Sequence, residues 1–273
     1  MIAERLSDTL AGGMPLLEGR TVILTGAGGG IGRAIARVLV SAGARVALTD
    51  LHQEPLDTLS GELSQAGVVR GHDAGLDAEA RLLTQAIDAA DPAAFAALHA
   101  RASAELGPVD GLVNCAGLFE KRTHDELDAA AWTRILTANL LTTAAGCQAV
   151  LPAMIARGSG SIVNVASTAG EYGSISPARH YAAAKGGVIG LTKSLAREAA
   201  PAQVRVNAVS PGPVDTDGLL AATPEQKAIA GSRTLFGRLG QPEEIAGACI
   251  FLLSPLSTFV TGHVLRVNGG ALL

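Results

Sequence analysis

The chain has 273 residues, 48% of them hydrophobic and 17% charged, with a net charge of -4. That length suits one doubly wound α/β domain, and slight acidity without a basic run argues against nucleic acid or an anionic membrane as the main partner. Cys115, Cys147 and Cys249 are three in number, far apart and at no metal-ligand spacing, so neither a disulfide framework nor a metal site is expected and a reducing cytoplasm is the simplest setting.

Residues 1–19 contain Glu4, Arg5 and Asp8 with no apolar run behind them, which reads as a loose N-terminal arm and not a secretory leader. In the body, 20–273, short β-branched runs at 21–25, 45–49, 82–87, 111–114, 161–165, 205–209 and 263–267 alternate with alanine-rich helical stretches. Such alternation, with nearly continuous apolar strands, predicts a seven-stranded parallel sheet with helices on both faces, a Rossmann-type fold.

The first run ends in Thr25-Gly26-Ala27-Gly28-Gly29-Gly30-Ile31-Gly32 and opens a helix over 31–40. Backbone N–H groups at a helix start, with the positive end of its dipole, suit a pyrophosphate. The order of strand, glycine turn and helix distinguishes this from glycines that serve packing alone. No lysine follows the glycines, and Arg33 falls on the helix, so an ATP-type loop is excluded. Asp50 ends the second run, 18 residues after Gly32. A carboxylate there accepts from both adenosine ribose hydroxyls and repels a 2′-phosphate, and no arginine flanks it, so NAD is expected over NADP; the plainer alternative is an aspartate that caps the next helix.

From 135 to 156 there are 22 residues without a charge, long enough to span a bilayer. Asn139, Gln148, Pro152 and three threonines interrupt the run, which favours a helix buried on most sides by protein.

Ser167 precedes Tyr181 by 14 residues, and Tyr181 precedes Lys185 by four. Residues four apart share a helix face, so a Lys185 ammonium can sit beside the Tyr181 hydroxyl and stabilise its phenolate. A phenol with an ordinary pKa of about 10 then becomes an acid or base usable near neutrality. Alone, the pair would be a solvated tyrosine and lysine; with the glycine turn and the upstream serine it points to proton exchange with a substrate oxygen.

By these motifs together, the chain resembles the short-chain dehydrogenase/reductase family from about residue 19 to 270. The resemblance implies that Ser167 holds the substrate oxygen, that Tyr181 is the proton donor or acceptor, and that Lys185 binds the nicotinamide ribose and lowers the tyrosine pKa. It implies that Asn139 bends its helix and holds a water linking the lysine to solvent. Asn114, Ala116 and Gly117 resemble the run beside the adenine ribose. Pro211, Gly212, Val214 and Thr216 resemble the loop that fixes the nicotinamide carboxamide, and a lid over 215–238 roofs the substrate. The implied activity is metal-independent interconversion of a secondary alcohol and a ketone by hydride transfer, in a homotetramer built through helices equivalent to the uncharged one and to the small-residue face Ala182, Ala183, Gly186 and Gly190. A 3-oxoacyl-type carbonyl reductase and a non-catalytic dinucleotide-binding protein of the same fold are the alternatives.

Three departures from the family pattern stand out. Cys115 replaces an asparagine, a change in packing. The Ser167–Tyr181 interval is one residue longer than usual, so the segment with Glu171, Tyr172 and His180 is expected to be reshaped around the substrate; Glu171, His180 and Arg233 would favour a hydroxylated or anionic one, though an exposed polar loop explains them equally. An insertion lies between the second and third strands. Asp73 follows Asp50 by 23 residues, but 82–87 is the better strand and Asp88 lies 26 residues before Asn114. Asp88 is therefore expected to accept from the adenine amino group, with Ala89 against the ring and 68–80 as a surface excursion.

Overall fold

The computed structural model describes residues 16–65, 82–216 and 223–271. Seven strands, β1 (Thr21–Thr25), β2 (Arg45–Asp50), β3 (Leu82–Ala86), β4 (Val109–Asn114), β5 (Gly160–Val165), β6 (Val204–Pro211) and β7 (Val264–Val267), form one sheet in the order β3-β2-β1-β4-β5-β6-β7. Every neighbouring pair is parallel. The doubly wound α/β architecture expected from the sequence is thus present.

Alternation along each strand splits the interior in two. Val22, Leu24, Val46 and Leu48 enter one core with the helices α1 (Gly30–Ser41), α2 (Gln53–Gln65) and α8 (Pro242–Leu253). Ile23, Ala47 and Ile162 enter the other with α3 (Pro92–Glu105), α5 (Thr142–Arg157) and α7 (Arg179–Ala199). Ile23, Leu24 and Leu48 are fully buried, each contributing about 1.5–3 kcal/mol by removal from water. Two-sided burial is the reason these strands read as unbroken apolar runs.

The order reverses where β1 lies between β2 and β4, and a crevice opens beyond the strand ends at such a point. Thr25 is the register partner of both Thr49 and Asn114 there, so three of the sequence motifs meet at one edge.

Two sequence expectations change. The arm does not extend to residue 19: Leu17 is 2% exposed within the first core, and its N–H donates to Ala42 O at 2.9 Å. The uncharged stretch is not one regular helix buried on most sides. It comprises α4 (Ala129–Leu136), a π-helical turn (Thr137–Leu141) and α5, and only half of its span-like window is buried. Its inner face packs on β4, β5 and α3, while Leu141, Gln148, Pro152 and Ala156 remain on an exposed face. Asp73 and the excursion at 68–80 lie outside the described residues.

Candidate active site

The first half of the site is backbone. Gly26 adopts φ +67°, a region that costs a side-chain-bearing residue energy, and a Cβ there would lie 2.7 Å from Ala116 Cα. A Cβ on Gly32 would lie 1.9 Å from Gly26 O, so the turn closes only on glycine. The N-cap of α1 is Gly29, with no side chain to cap the helix, which leaves first-turn amides for an outside acceptor. Ile31 is half-buried and packs toward the first core from this turn.

Asp50 does not cap the helix after it. Its Oδ2 accepts from Gly28 N at 2.9 Å and its Oδ1 from Leu51 N at 2.7 Å. A carboxylate has about four acceptor sites, so capacity remains for a ribose hydroxyl while the glycine turn is held in place. Asp88 lies just past β3, where Ile87 N donates to Asp50 O at 3.0 Å, which brings the Asp88 segment to the end of β2. Its Oδ1 accepts from Ala90 N at 2.9 Å, while Ala89 packs, partly buried, on the second core.

Thr25 Oγ1 accepts from Cys115 N and Ala116 N, both at 3.1 Å, pinning the Asn114–Gly117 turn to β1. Asn114 Nδ2 donates to Asn164 Oδ1 at 2.9 Å. Burial pushes the Cys115 thiol up to about 12, so it stays protonated and acts as a packing group. A Cβ on Gly117 would lie 2.6 Å from Asn139 Oδ1 and 3.4 Å from Lys185 Nζ. Bulk at Gly117 would therefore close the space between the asparagine and the lysine.

Asn139 is fully buried on the π-helical turn, with Nδ2 donating to Leu118 O at 2.9 Å and Ile135 O at 3.0 Å. The extra residue of that turn gives the helix the irregularity that the resemblance implies. On the far wall, Gly212 N donates to Val267 O at 3.1 Å, and Pro213 O accepts from Gly240 N at 2.9 Å. Val214 is buried and bridges to Gly240, which sets the course of the chain from Pro211 toward Thr216.

Ser167 is the N-cap of the short helix α6 (Thr168–Tyr172), accepting from Ala169 N at 3.2 Å. Tyr181 and Lys185 lie on the first turns of α7. Burial raises the Tyr181 pKa, and a side-chain hydrogen bond with Ser167 opposes that rise. Lys185 is 4% exposed, donates to Val165 O at 2.8 Å, and has its pKa lowered to about 8 by burial. The Lys185 ammonium is 5.8 Å from the Tyr181 ring centroid and donates to the Val165 carbonyl.

The segment 167–180 also departs from expectation. Glu171 faces Ser210 and Arg266, not a solvent-exposed loop. His180 is fully buried with its ring 6.1 Å from Trp132, and burial lowers its pKa. Arg233 is exposed. Phe119, absent from the sequence reading, stands edge-on to Tyr181 at 5.1 Å and 87°. Its strand-end loop is fastened to the entry of α7 by Arg122 N donating to Pro177 O at 2.7 Å. The available signal was a rare aromatic, one of five phenylalanines, two positions after Gly117.

An uncapped helix start, a cradle that a Cβ would fill and an acid at the end of β2 fit a dinucleotide; a serine–tyrosine–lysine group beyond them fits an alcohol or carbonyl oxygen. Comparison with known proteins agrees. A family model described as enoyl-(acyl carrier protein) reductase matches residues 26–271. The chain is 39% identical over 254 residues to an acetoacetyl-CoA reductase of Synechocystis, covering 93% of this chain and 96% of that protein. It is 40% identical over 252 residues to a cis-4-hydroxycyclohexanecarboxylate dehydrogenase of Sinomonas cyclohexanicum, covering 92% and 96%. A crystal structure of a short-chain dehydrogenase/reductase from Brucella melitensis, titled a glucose/ribitol dehydrogenase, superimposes with a TM-score of 0.84 at 36% identity, covering 94% of this chain and 98% of that one. The chain belongs to the short-chain dehydrogenase/reductase family and is an oxidoreductase of that class.

Proposed function

We propose that the protein is an NAD-dependent oxidoreductase that interconverts a secondary alcohol and a ketone in the cytoplasm. The observation that supports this best is the meeting of Ser167 with Tyr181, one turn of helix from the buried Lys185, beyond the glycine cradle. A bound nicotinamide dinucleotide supplies the hydride acceptor or donor. In oxidation, the Ser167 and Tyr181 hydroxyl groups hold the substrate oxygen, and the phenolate form of Tyr181 takes the hydroxyl proton. In reduction the phenol returns that proton to the carbonyl oxygen. Lys185, one helical turn along the same face, stabilises the phenolate.

The choice of NAD rests on Asp50, whose negative charge stands at the glycine turn with Leu51 and His52 following it. Asn114, Ala116, Gly117, Pro211, Gly212, Val214 and Thr216 complete the dinucleotide walls in this reading, and Asp88 and Ala89 border the adenine end. A homotetramer is the assembly proposed, because Leu141 on the π-helical turn, Pro152 on α5, and Ala183 and Gly190 on α7 lie exposed on largely uncharged faces. Light scattering at micromolar concentration should give four times the chain mass.

A second reading, reduction of a 3-oxoacyl thioester, is favoured by the Synechocystis acetoacetyl-CoA reductase relative. Reduced-nicotinamide absorbance, followed with NAD and NADP against secondary alcohols, polyols, hydroxy acids and acetoacetyl-CoA, separates the two. Turnover of free alcohols with NAD supports the proposal, and turnover confined to the thioester replaces it with the second. Dinucleotide binding without turnover of any substrate leaves the non-catalytic alternative.

A further inference from the structure

The helix that Ser167 caps presents a physical puzzle. Helix α6 has five residues, too few to be stable by its own hydrogen bonds, and none of them is buried in the core. Among its contacts, two bear on its position. Gly170 lies against α7, where a Cβ would sit 2.5 Å from Lys185 C. Glu171 reaches the sheet: Oε1 accepts from Ser210 Oγ at 2.6 Å and Oε2 accepts from Arg266 Nε at 2.8 Å.

Those two donors are register partners on β6 and β7, so one carboxylate spans adjacent strands. Ser210 is fully buried and directly precedes Pro211, where the proposed nicotinamide loop begins. Glu171 is 11% exposed, unlike an ordinary surface ion pair, and the Arg266 guanidinium is held from its other side by the Tyr172 ring at 5.1 Å. Short, charge-assisted bonds to a shielded carboxylate constrain more than solvated pairs do.

We infer that Glu171 is a positioning residue, a clamp from α6 to β6 and β7 that keeps the Ser167 hydroxyl on Tyr181. The inference rests on the proposed role of the Ser167–Tyr181 pair. Without the clamp, α6 keeps its packing on α7 but loses its tie to β6 and β7, so the Ser167 hydroxyl at its N-cap is held less firmly against the phenol. Because the serine hydrogen bond lowers the tyrosine pKa, a loosened serine lets that pKa rise. In the oxidative direction the limb of the pH–rate profile that follows phenolate formation therefore moves to higher pH.

The chain has two tyrosines, Tyr172 and Tyr181, so in a Tyr172→Phe background the phenolate ultraviolet absorbance titrates Tyr181 alone, whatever the substrate. In that background Glu171→Ala should raise the titration midpoint in the direction that Ser167→Ala raises it, and Glu171→Gln should restore most of the difference. Glu171→Ala should also reduce turnover by about 10- to 100-fold, as misplacement of a reacting group does. In a Ser167→Ala background the same change should cost under ~2-fold, since the two act as one unit. Should Glu171→Ala fail to fold, Ser210→Ala removes one strand of the clamp and should move the midpoint the same way. An unmoved midpoint in the folded variants, or an equal turnover loss with and without Ser167, overturns the clamp. Absence of turnover in the wild type instead overturns the functional reading, and the titration still decides the clamp.

Discussion

The two halves of the crevice are built from different materials. The cofactor side is made of backbone and missing side chains: Gly26 and Gly32 close a turn that any Cβ would open, and Asp50 ties Gly28 from across the strand end. The substrate side is made of side chains from distant segments, with Ser167, Tyr181 and Lys185 supported by Phe119, Glu171, Ser210 and Arg266. Defects should therefore differ in kind. A cofactor-side change acts through sterics and charge on binding and folding, whereas a substrate-side change acts on turnover and leaves the fold intact.

The sharpest way to break this contrast is Tyr181→Phe. It removes one oxygen and should lower turnover by at least ~100-fold, about 2.7 kcal/mol of barrier. Dinucleotide affinity, measured by calorimetry, should change little. Near-normal turnover would mean that another group exchanges the proton.

Gly32→Ala tests the opposite side. With a Cβ placed 1.9 Å from Gly26 O, it should cost roughly 2 kcal/mol of stability and most of the dinucleotide affinity. Gly61→Ala is the control, since nothing lies within 4 Å of that Cβ on a helix; it should stabilise by about 0.5–1 kcal/mol. Denaturant midpoints that fail to separate the two variants would show that the turn yields where it is drawn as rigid.

Asp50→Ala should reduce the preference for NAD over NADP by about 10-fold, equivalent to 1.4 kcal/mol. An unchanged ratio of kcat/KM values would remove Asp50 from cofactor choice and leave it only as the anchor of Gly28.

A smaller stability effect than that of Gly32→Ala is expected at Lys185, where function opposes stability. Its folded pKa near 8 lies below the unfolded value of about 10.4, so between these pH values the unfolded chain holds more protons and wild-type stability rises with pH. Below pH 8 the cost of the buried charge is present in full. Lys185→Met should be inactive yet more stable by roughly 1 kcal/mol at pH 7, an advantage that fades as pH rises toward 10. Equal stability of variant and wild type at both pH values would show that the ammonium is solvated in the folded chain.

Much of this architecture is legible in the amino-acid order because its causes are local. Alternating apolar runs specify strands buried on two faces, and a glycine turn between strand and helix specifies a backbone cradle; Tyr181 and Lys185 share a helix face by spacing alone. The residues that support them are not legible in the same way. Glu171 meets Arg266 across 95 positions of sequence, and Phe119 meets Tyr181 only because Arg122 fastens its loop to Pro177. Likewise, an uncharged stretch reveals its apolar character but not that it divides at a π-helical turn with one exposed face. The sequence by itself determined the strand–helix alternation, the glycine turn and the shared face of Tyr181 and Lys185, since these follow from periodicity and short-range spacing. Tertiary structure decided which distant side chains surround Ser167, Tyr181 and Lys185, because hydrogen bonds and burial depend on distances that only the closed sheet and its packed helices set.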